Sequence, residues 1–223
     1  MDAPRFVDLS LAIHDGMPTL PGLLPEAHVG PLMTHEESRP RYEGQAEFYL
    51  GRVDIPGNTG TYLDAPFHRF PDREDIASVE LDRLAGLPGI LVDAAPEHAP
   101  VDLDLPEEVV RGEAVLVRTG WDRRWGTDAF FEPDPYLSEA SVELLVQGGA
   151  ALVGVDWNNV DDTSDPARPV HTRLLDAGIL IVERLAGLDA LPREGFRFFA
   201  TPPRIVGGAS FPVRAFAELL PGP

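Results

Sequence analysis

The chain has 223 residues, of which 43% are hydrophobic and 25% are charged. This length supports one sizeable core and predicts a single domain over residues 1–223. All 18 basic residues are arginines, and the sequence contains no cysteine. The lack of lysine excludes Schiff-base chemistry and a lysine-containing phosphate loop, and the lack of cysteine excludes thiolate nucleophiles, disulfides and iron–sulfur clusters. Any metal site is therefore limited to histidine, aspartate and glutamate ligands.

The formal net charge of −19 repels nucleic-acid phosphates and anionic lipid headgroups. The N-terminus, MDAPRFVDLS, lacks the basic and apolar regions of a secretory signal, and no window reaches about 18 apolar residues. The sequence therefore predicts a soluble cytoplasmic protein that binds neither nucleic acid nor membranes.

The pattern of apolar residues divides the chain into two parts. Residues 6–13 and 47–55 alternate between apolar and polar side chains, which predicts antiparallel strands. After residue 88, short apolar runs indicate buried parallel strands, at 89–94, 114–120, 151–157 and 179–185.

Two predicted helices precede the last two of these strands. The first follows the N-cap Ser138 and extends to Gln147 before two glycines, and the second extends from Pro169 to Ala177 before Gly178. Consecutive helix–strand units predict an α/β class for the second part. Residues 161–169 are predicted to form a loop.

The segment NTGTYLDAPFHRF, residues 58–70, contains the residues best suited to chemistry. Pro66 restrains the backbone between Asp64 and His68, so this loop could hold a metal ligand beside a proton-transfer group. The alternative is a loop-stabilising aspartate followed by a surface histidine.

A further carboxylate and a further imidazole occur near the last predicted strand. Glu183 interrupts the apolar run ILIVERL, so it is either buried with a partner or exposed at the strand end beside Arg184. His171 opens the preceding helix, either as a ligand or as a structural residue. Asp156 ends another predicted strand, where it could serve function or cap a loop.

Several separated segments resemble the cyclase family that contains kynurenine formamidases and isatin hydrolases. They include FVDLSLAIHDGMPTLPG at 6–22, NTGTYLDAPFH at 58–68, which matches the motif HxGTHxDAPxH, and VGVDWNNVDD at 153–162. The resemblance continues in VHTRLLDAGILIVERLAGLDALP at 170–192. It implies a swivelling β/β/α domain, an α/β fold with mixed sheets and helices.

The resemblance also implies roles for individual residues. The family's motif supplies two histidines and an aspartate to a divalent metal, and its last histidine is an acid/base; Asp64 and His68 match the last two. A second metal position matches His171 and Glu183 together with Asp64. Asn58 and Tyr62 replace the two leading histidines, so one divalent metal, zinc or manganese, is expected on Asp64, His171 and Glu183.

These features predict a hydrolase of an amide, lactam or ester bond in a small aromatic molecule, similar to an arylformamidase. His68 would move the proton, and Tyr62 or Asn58 would bind the developing oxyanion. The alternatives are a metal-free small-molecule binding protein of the same fold and a lyase or cyclising enzyme. The resemblance and the apolar N-terminal residues Leu20, Leu23, Leu24, Leu32 and Met33 also predict a homo-oligomer, either a dimer or a tetramer. The alternative is that these residues line the chain's own core or cover the pocket.

Overall fold

Eleven strands and three α-helices form the regular structure of residues 5–95, 100–132 and 135–221, which the computed structural model describes. The strands are β1 (Phe6–Asp8), β2 (His28–Met33), β3 (Leu50–Asp54), β4 (Tyr62–Asp64), β5 (Ala85–Asp93), β6 (Ala114–Arg118), β7 (Leu152–Val155), β8 (Leu180–Glu183), β9 (Phe196–Phe199), β10 (Ser210–Pro212) and β11 (Phe216–Leu219). The helices are α1 (His35–Ser38), α2 (Glu139–Gly148) and α3 (Pro169–Asp176). None of these helices is long and apolar enough to cross a membrane.

Nine of the strands form one mixed sheet in the order β1-β11-β9-β5-β6-β7-β8-β4-β10. Strands β5 to β8 run parallel to one another, and the remaining neighbours in this sheet are antiparallel. Strands β2 and β3 form a separate two-stranded ribbon. The predicted α/β class with mixed sheets and helices is confirmed.

The central strands are apolar on both faces because each face packs against its own core. Along β6, Ala114 and Leu116 belong to one buried cluster, whereas Val115 and Val117 belong to the other. A strand covered on both sides reads as a continuous apolar run instead of an alternating one. This double burial explains why the sequence pattern located β5 to β8.

The two predicted helices are present with shifts of one residue at their ends. Ser138 is the N-cap of α2 and accepts a hydrogen bond from the Ser141 backbone, and Gly149 is the C-cap of this helix with a φ of 74°. Helix α3 starts at Pro169, a residue whose fixed φ suits the first helical position.

Two parts of the sheet differ from the sequence prediction. The predicted loop at 58–70 contains β4, which inserts between β8 and β10, and strands β9 to β11 were not predicted. Gly60 turns the chain into β4 with a φ of 64°, and a Cβ there would lie 3.1 Å from Ile13. The register sets Tyr62 opposite Glu183 and Asp64 opposite Ser210, so the fold gathers these side chains at one place.

Candidate functional site

Asp64, His171 and Glu183 converge where β4, β8 and the first turn of α3 meet. The Nε2 atom of His171 lies 3.7 Å from Asp64 Oδ2 and 3.7 Å from Glu183 Oε1. These distances exceed hydrogen-bonding length. His68 also belongs to the group, because Asp64, His68 and His171 offer possible ligand atoms that all lie within 4.8 Å of one another.

The Asp64 carboxylate is fully buried and only half satisfied. Its Oδ1 atom accepts a hydrogen bond from the Ser210 hydroxyl, whereas Oδ2 has no hydrogen-bond partner among the described residues. Burial disfavours the charged form, but the neighbouring His171, His68 and Ser210 outweigh it and lower the pKa of Asp64. The site thus contains a buried carboxylate with one oxygen open to a cation.

His171 is fixed by a carboxylate that the sequence analysis assigned to a loop. Asp161 is fully buried, and its Oδ2 lies 2.6 Å from His171 Nδ1. The same carboxylate accepts hydrogen bonds from the backbone N–H groups of Val170 and His171, so it also caps α3. The carboxylate holds a proton on Nδ1 and directs Nε2 toward Asp64 and Glu183. The sequence signal for this capping role is an aspartate that precedes a helix whose N-cap residue has no capping side chain.

The charges around His171 also change its proton affinity. Burial lowers the pKa of this imidazole, but the hydrogen bond to Asp161 and the nearby Asp64 and Glu183 outweigh it and raise the pKa to about 10. Without a metal, this ring is therefore protonated at neutral pH. The Nε2 position is thus one that attracts a cation, either a proton or a metal ion.

Glu183 is buried and hydrogen-bonded, so the solvent-exposed alternative is wrong. Its Oε2 accepts a hydrogen bond from the Tyr62 hydroxyl, and its Oε1 accepts one from the Val160 backbone at 2.7 Å. Burial raises the pKa of Glu183. Burial and the nearby negative charge of Glu183 both raise the pKa of Tyr62. The Tyr62 hydroxyl therefore stays protonated and its single proton faces Glu183.

Arg184 contributes a fully buried positive charge beside the two positions that replace the family's histidines. Its guanidinium carbon lies 5.2 Å from the Tyr62 ring centroid, and its Nη1 donates to the Asn58 carbonyl oxygen at 3.0 Å. Its Nε donates to Asn158 Oδ1 at 3.1 Å. The surroundings of Asn58 and Tyr62 thus hold a cation that belongs to the chain itself.

His68 is exposed and is oriented by Ser210, a residue that no sequence signal indicated. The Ser210 hydroxyl donates its proton to Asp64, and its oxygen lies 3.1 Å from His68 Nδ1. Because that hydroxyl proton is already used, the serine oxygen accepts from Nδ1–H of His68. This tautomer leaves the Nε2 lone pair of His68 available to accept a proton.

A cavity of about 440 Å³ opens above these groups. Tyr62, His68, His171 and Glu183 line it together with Asn58, and the other lining residues are Leu20, Leu23, Leu24, Arg69, Asn159, Pro166, Ala167 and Arg168. The N-terminal leucines therefore form a wall of the site.

Asp156, also singled out in the sequence, lies elsewhere. It accepts hydrogen bonds from Thr119 and Gly120, which follow β6. Asp156 thus stabilises a loop, one of its two predicted roles.

The residues present fit one divalent cation at the position that the family resemblance assigns to Asp64, His171 and Glu183, and His68 offers a further ligand atom within 4.8 Å of those of Asp64 and His171. The unpaired Asp64 Oδ2, the directed His171 Nε2 and the buried Glu183 carboxylate are two oxygen donors and one nitrogen donor. The first position does not fit, because Asn58 and Tyr62 lack imidazoles and the Arg184 guanidinium adds a positive charge nearby.

Comparisons with known proteins identify the family and agree with this fold. The sequence model of the Cyclase family, described as "Putative cyclase", matches residues 7–162. Kynurenine formamidase from Erythrobacter litoralis is 31% identical over 222 residues, which cover 97% of this chain and 95% of that protein. Kynurenine formamidase from Salinibacter ruber is 32% identical over 192 residues, which cover 82% of this chain and 86% of that protein.

Solved structures of isatin hydrolases have the same fold. Isatin hydrolase A from Labrenzia aggregata, bound to benzyl benzoate, has a TM-score of 0.81 at 21% identity and covers 97% of this chain and 94% of its own. Isatin hydrolase A from Ralstonia solanacearum has a TM-score of 0.79 at 24% identity, with coverages of 96% and 92%. The chain therefore belongs to the Cyclase family and is similar to its kynurenine formamidases and isatin hydrolases.

Proposed function

We propose that this chain is a metal-dependent hydrolase that cleaves an amide, lactam or ester bond in a small aromatic molecule, as an arylformamidase does. The observation that carries this proposal is the open Asp64 Oδ2, which faces His171 Nε2 at 3.7 Å beneath the cavity. The kynurenine formamidase relatives support the same reaction class.

Asp64, His171 and Glu183 are the proposed ligands of a single divalent metal, zinc or manganese. When bound, such an ion polarises a carbonyl group and lowers the pKa of water. Asp161 keeps His171 in the required tautomer, and Tyr62 and Val160 hold the Glu183 carboxylate in place.

His68 is the proposed proton-transfer group. Its Nε2 accepts a proton from the attacking water, because Nδ1–H is held by Ser210, and returns that proton to the leaving nitrogen. The same ring lies close enough to Asp64 and His171 to act as a metal ligand, so metal affinity distinguishes the two roles.

Asn58 is the better placed of the two residues expected to bind the developing oxyanion. Both residues line the cavity, but the Tyr62 hydroxyl proton is already donated to Glu183. We therefore assign the oxyanion contact to the Asn58 side-chain amide and a ligand-positioning role to Tyr62.

Metal analysis of the purified protein tests this assignment directly. We expect at most one divalent ion per chain after gentle dialysis, because Asn58 and Tyr62 leave too few good ligands for a second ion. Chelation should abolish hydrolysis of N-formylkynurenine, and Zn²⁺ or Mn²⁺ should restore it. Asp64→Asn should fail to recover, since it removes the open carboxylate.

Each opposing result has a defined meaning. Two ions per chain would overturn the single-site proposal. A protein that stays metal-free after growth with both metals but binds aromatic amides would be a binding protein of this fold. A product that lacks the oxygen of labelled water would indicate a lyase or cyclising enzyme.

We also propose that the β2–β3 ribbon pairs with a second copy of the chain. A two-stranded ribbon has little stability alone, and every residue of β3 is exposed. Exposed large apolar side chains are concentrated on the ribbon and the segment that joins its strands: Leu32, Tyr42, Phe48, Tyr49, Leu50 and Val53. A patch of this kind marks an association surface.

The double change Leu32→Glu and Val53→Glu should convert the oligomer into a monomer of 24.3 kDa in light scattering. Burying the new carboxylates against apolar side chains is unfavourable. The matched control is Leu81→Glu, since Leu81 is also exposed but lies outside the ribbon. A wild-type protein that is monomeric at micromolar concentration would refute the proposed assembly.

A further inference from the structure

Arg69 and Arg168 are the two arginines that line the site cavity. The chain carries 37 acidic and 18 basic residues, so carboxylates to pair with arginines are abundant. Among the described residues, neither of these two arginines forms an ion pair, although nine others do. Two unpaired positive charges therefore face the same cavity in a strongly acidic protein.

Arg168 has two unfavourable features in the protein alone. Its backbone is left-handed, with φ 48° and ψ 58°, a conformation that side chains other than glycine and asparagine rarely adopt. Its Nη1 atom is buried and has no hydrogen-bond partner among the residues that the structure describes. A buried charged donor without an acceptor is unfavourable.

The acidic residues that precede Arg168 in the sequence form no ion pair with it among the described residues. Arg168 is close enough to contribute to the lowered pKa of Asp162, after the larger effect of hydrogen bonds from Ser164. However, Asp162 Oδ1 accepts from the Ser164 hydroxyl and backbone, and Asp165 Oδ1 accepts from the Ala167 backbone.

Thr172 connects the two arginines. Its hydroxyl accepts a hydrogen bond from Arg69 Nε at 2.9 Å and donates one to the Arg168 carbonyl oxygen at 2.7 Å. Both arginines are therefore tied to the first turn of α3, which also carries His171. The Arg69 hydrogen bond uses only Nε, so its outer nitrogens keep their donors for a ligand.

We propose that Arg69 and Arg168 bind a carboxylate of the substrate and thereby select aromatic amides that carry an acidic group over neutral ones. This inference rests on the proposed hydrolase function and adds the substrate class. Guanidinium groups match the planar geometry of a carboxylate and form strong charge-assisted hydrogen bonds with it. A substrate held this way by its acidic group would have its scissile carbonyl directed toward Asp64 and His171.

Formanilide and its 2- and 4-carboxylates form a suitable set of neutral and anionic probes. The wild-type enzyme should have a kcat/KM for at least one carboxylate that is roughly tenfold or more above that for formanilide. Arg168→Met should remove this preference by raising KM for the anion much more than KM for formanilide. Arg69→Met should act in the same direction, and Arg168→Lys should recover part of the effect.

Arg168→Gly separates binding from folding. Glycine tolerates the left-handed backbone, so this variant should melt at a higher temperature and still lose the preference for the anion. The matched control is Arg204→Met, which removes an exposed arginine that does not line this cavity and should leave the preference intact. An equal loss for neutral and anionic probes in Arg168→Met would overturn the proposal.

Calorimetric titration with benzoate keeps this inference separate from the proposed reaction. If no amide is hydrolysed but benzoate binds the wild type and not Arg168→Met, the hydrolase proposal fails and the anion subsite stands. If benzoate binds both proteins equally or neither, the anion subsite is refuted whatever the activity.

Discussion

Replacing His68 with alanine should lower kcat roughly 10²- to 10⁴-fold, the usual contribution of a positioned acid/base group. The melting temperature should change little, because the His68 side chain is exposed and lies on a 3₁₀ turn. Hydrolysis rates and thermal unfolding of the same preparation measure both effects. The metal content should stay at the wild-type level if His68 moves protons and does not bind the metal.

Two variants control this experiment. His14→Ala removes another exposed histidine and should leave kcat unchanged. Ser210→Ala removes the acceptor that fixes Nδ1–H of His68 and should lower kcat by less than the His68 change. Loss of metal together with activity in His68→Ala would instead identify His68 as a ligand, and a matching fall in melting temperature would make it structural.

The sequence predicted the parallel part of the sheet well because burial on both faces leaves a local signature. Strands β5 to β8 lie in continuous apolar runs, and the two main helices carry capping residues such as Ser138. Strands β9 to β11 are short, and their pairing with β1, β4 and β5 links residues far apart in the chain. Such long-range pairing is not visible in a local pattern.

The site residues that lie in local motifs were predicted, and those that depend on long-range pairing were not. Asp64, His68, His171 and Glu183 were all named from motifs, and the structure places them together. The fold also brings Ser210 beside Asp64 through the pairing of β10 with β4, and no local pattern around Ser210 indicates that pairing. Glu183 is buried because β4 pairs with β8, and the sequence pattern had indicated a loop where β4 lies.

Changing Asp161 should have the largest effect on metal binding of any residue that does not touch the metal itself. Partners that orient a ligating histidine typically contribute 10- to 100-fold in metal affinity. Both Asp161→Asn and Asp161→Ala remove the carboxylate that holds the proton on His171 Nδ1. We therefore expect both variants to bind Zn²⁺ or Mn²⁺ about 10- to 100-fold more weakly in calorimetric titration.

The two Asp161 variants should differ in stability. Asparagine keeps one oxygen that can accept from the backbone N–H groups of Val170 or His171, whereas alanine leaves both buried donors unsatisfied at the start of α3. Chelator-treated Asp161→Ala should lose about 3 kcal/mol of unfolding free energy in urea, and Asp161→Asn should lose less. Asp162→Asn, which removes a neighbouring carboxylate outside the site, should match the wild type in metal affinity. If both Asp161 variants keep wild-type metal affinity while the alanine variant unfolds early, Asp161 serves only as a helix cap.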